Sequence, residues 1–87
     1  MLEIFAQMTP SWFDRATFYT GSVHQEFRFR YEQDRENKLL HAATYSKVCY
    51  ELADDVEKRD FSWDEDGVEA LKKWYQNQYD AYAAAHF

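Results

Sequence analysis

The hydrophobic positions change period along this 87-residue chain, and each change marks an element. At the start Leu2, Ile4, Ala6 and Met8 alternate with Glu3, Phe5 and Gln7, a period of two that predicts a short strand with one buried face. Thr9-Pro10 reads as an N-cap followed by proline at the first helical position, so Ser11–Arg15 is expected to form one helical turn. ATFYT and VHQEFRFRY flank Gly21-Ser22, and glycine at the first central position predicts a two-residue type II′ hairpin turn. That register sets Thr20 opposite Val23. It also puts Phe18 on the face of Phe27, Phe29 and Tyr31, with His24, Glu26, Arg28 and Arg30 on the other.

After the polar break QDREN the period lengthens. Leu39, Ala42, Tyr45, Cys49, Leu52 and Val56 recur at helical spacing, with Glu51, Asp54 and Asp55 opposite, which predicts a helix over about residues 37–58. A competing reading makes Lys38–Tyr45 a strand beside Val23–Glu32, turning the hairpin into a three-stranded meander. The last element is the clearest. Ser62-Trp63-Asp64-Glu65 is a capping box, and Asp66-Gly67-Val68-Glu69 offers a second one. Beyond them Val68, Leu71, Tyr75, Gln78, Tyr79 and Tyr82 share a face, with Trp74 at its margin, and the helix should end near Ala84. Glu69 and Lys73 are spaced as an i,i+4 ion pair. The expected fold is therefore α+β: residues 1–87 as one small domain, with a hairpin or three-stranded antiparallel sheet packed against two C-terminal helices.

Composition supports a packed core. Seven Phe, seven Tyr and three Trp bring large apolar surfaces, and disordered chains lack them. One cysteine, Cys49, excludes an internal disulfide framework. MLEIFAQM has no basic residue before Arg15 and is no secretory signal, and no apolar run is long enough for a membrane helix. The expected setting is cytoplasmic.

Catalytic and cofactor chemistry finds no motif. In FRFRYEQ, which has the composition of a single-strand nucleic-acid platform, strand alternation sends aromatics and arginines to opposite faces, so no direct nucleic-acid binding is expected. If Gly67 took the glycine position of an EF-hand loop, Ser62 would stand at the first ligand and Lys73 where a bidentate Glu belongs. His41 and Cys49, eight residues apart in the sequence, would lie about 12 Å apart along a helix, too far for a thiol–imidazole pair. Gly21 and Gly67 are too distant from each other to form a phosphate loop. No enzyme activity, metal or cofactor is expected.

What remains is charge. The formal net charge is −6, and Glu51–Glu69 (ELADDVEKRDFSWDEDGVE) holds the surplus acids with only Lys58 and Arg59 against them. Helix-dipole stabilisation explains acids at the start of the last helix; it opposes Asp54, Asp55 and Glu57 at the end of the preceding one. Solubility alone would account for a solvated charged face. A surface complementary to a basic partner accounts for its concentration, with Glu51, Asp54, Asp55, Glu57, Asp60, Trp63, Asp64, Glu65 and Asp66 as the expected contacts and Phe61 a second aromatic anchor. In size, acidity and lack of catalytic apparatus the chain resembles the small inhibitors that phages and mobile elements aim at nucleic-acid enzymes, anti-CRISPR and antirestriction proteins among them. The resemblance is one of type, and implies a basic, nucleic-acid-handling protein partner. The alternative is a structural or regulatory module that works by apolar packing, as a homodimer through the aromatic C-terminal helix.

Overall fold

The alternation in FRFRYEQD is the pattern the fold uses most directly. In the computed structural model, which describes residues 1–15, 17–23, 27–46 and 56–86, it forms strand β2 (Phe27–Asp34), with Phe27, Phe29, Tyr31 and Gln33 buried along one side. Strand β1 (Phe18–Val23), strand β3 (Leu39–Tyr45) and strand β4 (Glu57–Ser62) complete an antiparallel sheet in the order β1-β2-β3-β4. A short helix α1 (Glu3–Ala6) and a 3₁₀ turn (Trp12–Arg15) come before the sheet, and helix α2 (Glu65–His86) follows it. The architecture is α+β, with one sheet layer and one helical layer. No helix among the described residues is long and apolar enough to cross a membrane.

Rings fill the space between the layers. Phe29 meets Phe5 edge-to-face at 5.4 Å and Tyr75 at 5.2 Å, so one side chain joins β2, α1 and α2. Tyr31 packs on Phe13 at 4.8 Å, and Phe61 on Trp74 at 5.8 Å. Buried polar ends find partners: the Tyr75 hydroxyl donates to the Arg30 carbonyl (2.6 Å) and the Gln33 amide to the Phe13 carbonyl (2.5 Å). Burial also pushes the Tyr75 hydroxyl pKa well above its ordinary value, so it stays a donor.

Three expected elements are corrected. The strand expected at Leu2–Met8 is α1 and its exit. Phe5 and Met8 are both buried, and a pair three residues apart shares a helix face but points to opposite faces of a strand. Leu2 is tied to the far helix by its N–H, which donates to Gln76 Oε1 (2.7 Å). The Thr9-Pro10 reading holds, since Trp12 N–H meets both the Thr9 carbonyl (3.0 Å) and its hydroxyl (3.2 Å).

Gly21-Ser22 is not the hairpin turn; both residues lie inside β1, which pairs with β2 from Phe18↔Glu32 to Val23↔Phe27. The reason is room. Neither glycine has a positive φ, which a type II′ turn would require, and a Cβ on Gly21 would lie 2.5 Å from the buried Phe29 ring. The changed register moves Phe18 to the outer face, where it is 54% exposed beneath the Arg30 guanidinium (5.0 Å). Tyr19 takes the inner place, stacked on Tyr31.

The helix expected over about 37–58 is also overturned, at both of its described ends. Its first part is β3, as the meander reading has it, and its last part begins β4, which adds a fourth strand. Expected residues Cys49 and Leu52 lie outside the described residues. β3 pairs on both sides, so its backbone groups are satisfied within the ladder, whatever the helical preference of its Leu and Ala residues. Asp34–Lys38 turns the chain between β2 and β3: Asp34 accepts from the Asn37 backbone and side-chain amides at 3.1 and 3.0 Å, and Lys38 takes a φ of 54°.

Gly67 gives a test of the start of α2. Helix propensity alone would make Gly67→Ala stabilising by about 1 kcal/mol. A Cβ there would meet the Ser62 carbonyl oxygen at 1.8 Å, so G67A is expected to lower stability by about 1–3 kcal/mol, measured from urea unfolding midpoints. A gain in midpoint would contradict the placement of this turn.

Candidate functional site

β4 is an edge strand whose first four residues, Glu57, Lys58, Arg59 and Asp60, are all exposed. Trp63 and Asp64 carry the chain from β4 to α2, and the Trp63 N–H continues the ladder to the Lys38 carbonyl (2.8 Å). Asp64 is the N-cap of α2. Its carboxylate accepts from Gly67 N–H (2.7 Å) and from the Ser62 hydroxyl (3.1 Å), and its carbonyl accepts the first helical bond from Val68 (2.9 Å). The N-cap is thus Asp64 and not the Ser62 or Asp66 of the two expected capping boxes, and with glycine at the third helical position no side chain reaches back to complete a box. Glu65 and Asp66 follow in the first turn, exposed, where the helix dipole favours them.

The structure sorts the expected contact residues by what they already do. Glu57, Glu65 and Asp66 are exposed and make no ion pair among the described residues. Asp64 is committed to the cap. Asp60 sits in a strand, not in a connection between helices, and its carboxylate meets His41 Nδ1 at 2.7 Å. Trp63 is half-buried and serves the fold: its indole N–H donates to the Pro10 carbonyl (2.9 Å), and the Arg35 guanidinium lies 5.3 Å from its ring. Phe61 is half-buried against Trp74. Glu69 pairs with the buried Lys72 at 3.0 Å, in place of the expected Lys73. Glu51, Asp54 and Asp55 lie outside the described residues. Tyr79 and Tyr82, the face expected to serve a helix-mediated homodimer, pack edge-to-face on Phe27 of their own sheet at 5.4 and 5.7 Å.

Sequence reasoning gave His41 no role beyond a failed pairing with Cys49. In the fold it bridges two carboxylates on the outer face of the sheet, Asp60 through Nδ1 and Asp34 through Nε2 (3.3 Å). The strand reading of Lys38–Tyr45 supplies half of the signal at most, since it pairs this segment with Val23–Glu32 alone and His41 meets Asp60 only across the β3–β4 ladder. The two acceptors suit the doubly protonated ring, so the His41 pKa is raised, first by the Asp60 hydrogen bond and then by Asp34. Asp34 is held below the usual carboxylate range, chiefly by the Asn37 side-chain and backbone amides. Around this bridge lies a depression of about 220 Å³ lined by Arg30, Glu32, His41, Lys58 and Asp60. Its charges are mixed. The two aspartates lie against opposite ring nitrogens and do not converge on one ion, and no metal-holding group of His, Cys, Asp or Glu occurs among the described residues. The bridge ties the β2–β3 turn to the β4 edge.

No known protein family, curated protein or solved structure matches the chain.

The bridge has a defined pH dependence. A histidine whose folded pKa is raised stabilises fully below its ordinary value of 6.5, and that contribution is lost as pH rises through the folded pKa. Asp34, being lowered, contributes above 3.8 and loses its contribution as pH falls through its folded pKa. The difference in Tm between wild type and His41→Ala is therefore expected to be widest between pH 3.8 and 6.5 and to narrow above that window. Thermal scans across pH check it, and a difference independent of pH would refute the bridge.

Proposed function

We propose that this chain is a non-enzymatic interaction protein whose carboxylates at the β4 edge and the first turn of α2 bind a basic protein surface, that of a nucleic-acid-handling protein, and inhibit or regulate it in the manner of a nucleic-acid mimic. The observation that carries the reading is the exposure of Glu57, Glu65 and Asp66 on regular elements, without cationic partners among the described residues. A backbone already held by a strand ladder or a capped helix has little freedom left to lose on binding, so only the side chains of these acids remain to be ordered. Clefts that take nucleic acid are lined with Lys and Arg to neutralise phosphates, which makes them the natural complement of fixed anions.

The internal duties of Asp64, Asp60 and Glu69 narrow this surface to fewer carboxylates than the segment contains. Lys58 and Arg59 interrupt it on β4, giving it a pattern as well as a sign. The site of action is the cytoplasm of the host cell in which such a partner works, and the chain itself binds neither nucleic acid nor membrane, consistent with a net charge of −6.

The test separates binding acids from structural ones. Passed over extract from the native host at roughly 50 mM salt, the immobilised chain is expected to retain basic nucleic-acid-binding proteins and to release them at roughly 500 mM, since surface charge is screened there. The triple variant Glu57→Gln, Glu65→Gln, Asp66→Asn is expected to fold normally and retain at least tenfold less. Asp64→Ala is expected to cost about 1 kcal/mol of stability through loss of the cap. Equal retention by wild type and triple variant would overturn the proposal.

A further inference from the structure

The two edges of the sheet are built differently. β4 begins with four consecutive charged residues, a common device against edge-to-edge pairing. β1, FYTGSV, has no charge and no proline, and no strand among the described residues pairs with its outer edge. Its ladder to β2 fixes which groups face outward. Gln33 N–H donates to the Thr17 carbonyl (2.8 Å), so hydrogen-bonded pairs with β2 fall on the odd-numbered residues of this segment. The N–H and C=O groups of Phe18, Thr20 and Ser22 therefore point away from the sheet. Phe18, one of the two large apolar side chains exposed among the described residues, lies on this same strand.

We propose that the β1 edge is a self-association surface, on which a second copy of this chain pairs antiparallel about a two-fold axis through Thr20 to make one continuous eight-stranded sheet. The strand is self-complementary in that register. Thr20 faces Thr20 of the second copy, a favourable cross-strand pair, and Phe18 faces Ser22 of the second copy, with all three outward residues of each strand bonded. On the inner face Tyr19 stands opposite Gly21 of the second copy, over which that copy's own Phe29 ring lies, so ring meets ring there. β1 itself carries no charged residue, and the nearest charges on its outer face, Arg30 over Phe18 and Glu32 beside it, stand one strand back from the seam on β2. The charged β4 edge blocks pairing on the other side, which closes the assembly as a dimer and prevents a filament.

Pairing two six-residue strands buries less than the ~1,200 Å² of a standard specific interface, so association is reversible and depends on concentration. The surface is distinct from the acidic one, and neither proposal depends on the other. Sedimentation of the full chain from roughly 5 μM to 1 mM tests it, because a small interface dissociates within that range. Wild type is expected to move from 10.5 kDa toward twice that mass, and Thr20→Lys and Ser22→Lys to stay at 10.5 kDa throughout. Thr20 and Ser22 are exposed, so both variants are expected to keep the wild-type circular dichroism spectrum and Tm. Amide exchange decides independently of any variant: the N–H groups of Phe18, Thr20 and Ser22 are expected to gain protection in concentrated wild-type solution. A wild type that stays at 10.5 kDa, folded lysine variants that dimerise like wild type, or unchanged protection of those three amides would each overturn the proposal.

Discussion

The ring of Phe29 is the contact on which the rest of the molecule depends. It touches Phe5 and Tyr75 from the helical layer, and it leaves no space above Gly21 on the neighbouring strand. Aromatic pairs of this kind contribute about 0.5–1.5 kcal/mol each beyond the area they bury. Truncating a buried Phe costs about 3–5 kcal/mol, against a total of about 5–15 kcal/mol for a whole domain. Remove this ring and the N-terminal helix, the long helix and β1 lose their common anchor together. The position of β1, and with it the outward row Phe18, Thr20 and Ser22, follows from the same fit.

Much of the fold was legible where one side of an element is wet. β2 alternates because its inner face is core and its outer face is not, and α2 shows its stripe for the same reason. β3 hides its nature. It is central and largely buried on both faces, so no period of two survives, and Leu39, Ala42 and Tyr45 fell on a helical spacing by coincidence. α1 hides as well, because four residues are too few to show a helical period. The glycine at position 21 carried a true signal that was misassigned: it marks a close approach of side chain to backbone, and only coordinates distinguish that from a turn.

From residue 56 onward, the acidic segment separates into residues that build the fold and residues that face outward. Asp64 starts a helix and Asp60 anchors an imidazole across two strands, duties that require a carboxylate whether or not a partner exists. His41 was illegible from sequence because both of its partners are distant along the chain, seven and nineteen residues away. Among the described residues Glu57, Glu65 and Asp66 make no such contact. Counting acids along the sequence could show that charge was concentrated, but sorting it required the ladder and the cap. The outward carboxylates flank the structural ones, so the elements that the latter hold in place also hold the former. Charge placed on a strand edge and a capped helix keeps its spacing, and spacing is what a cleft built for phosphates would read.

Mimicry of nucleic acid makes one demand that simple charge attraction does not: the chain and the partner's nucleic acid must exclude each other. The most direct measurement is competition on a basic partner captured by the chain, with labelled duplex DNA bound to that partner and the chain titrated in at low salt. The account predicts that label is displaced as the chain binds, and that the Glu57→Gln, Glu65→Gln, Asp66→Asn variant displaces it only at much higher concentration. A stable ternary complex in which the DNA stays bound while the chain saturates its partner would contradict the account.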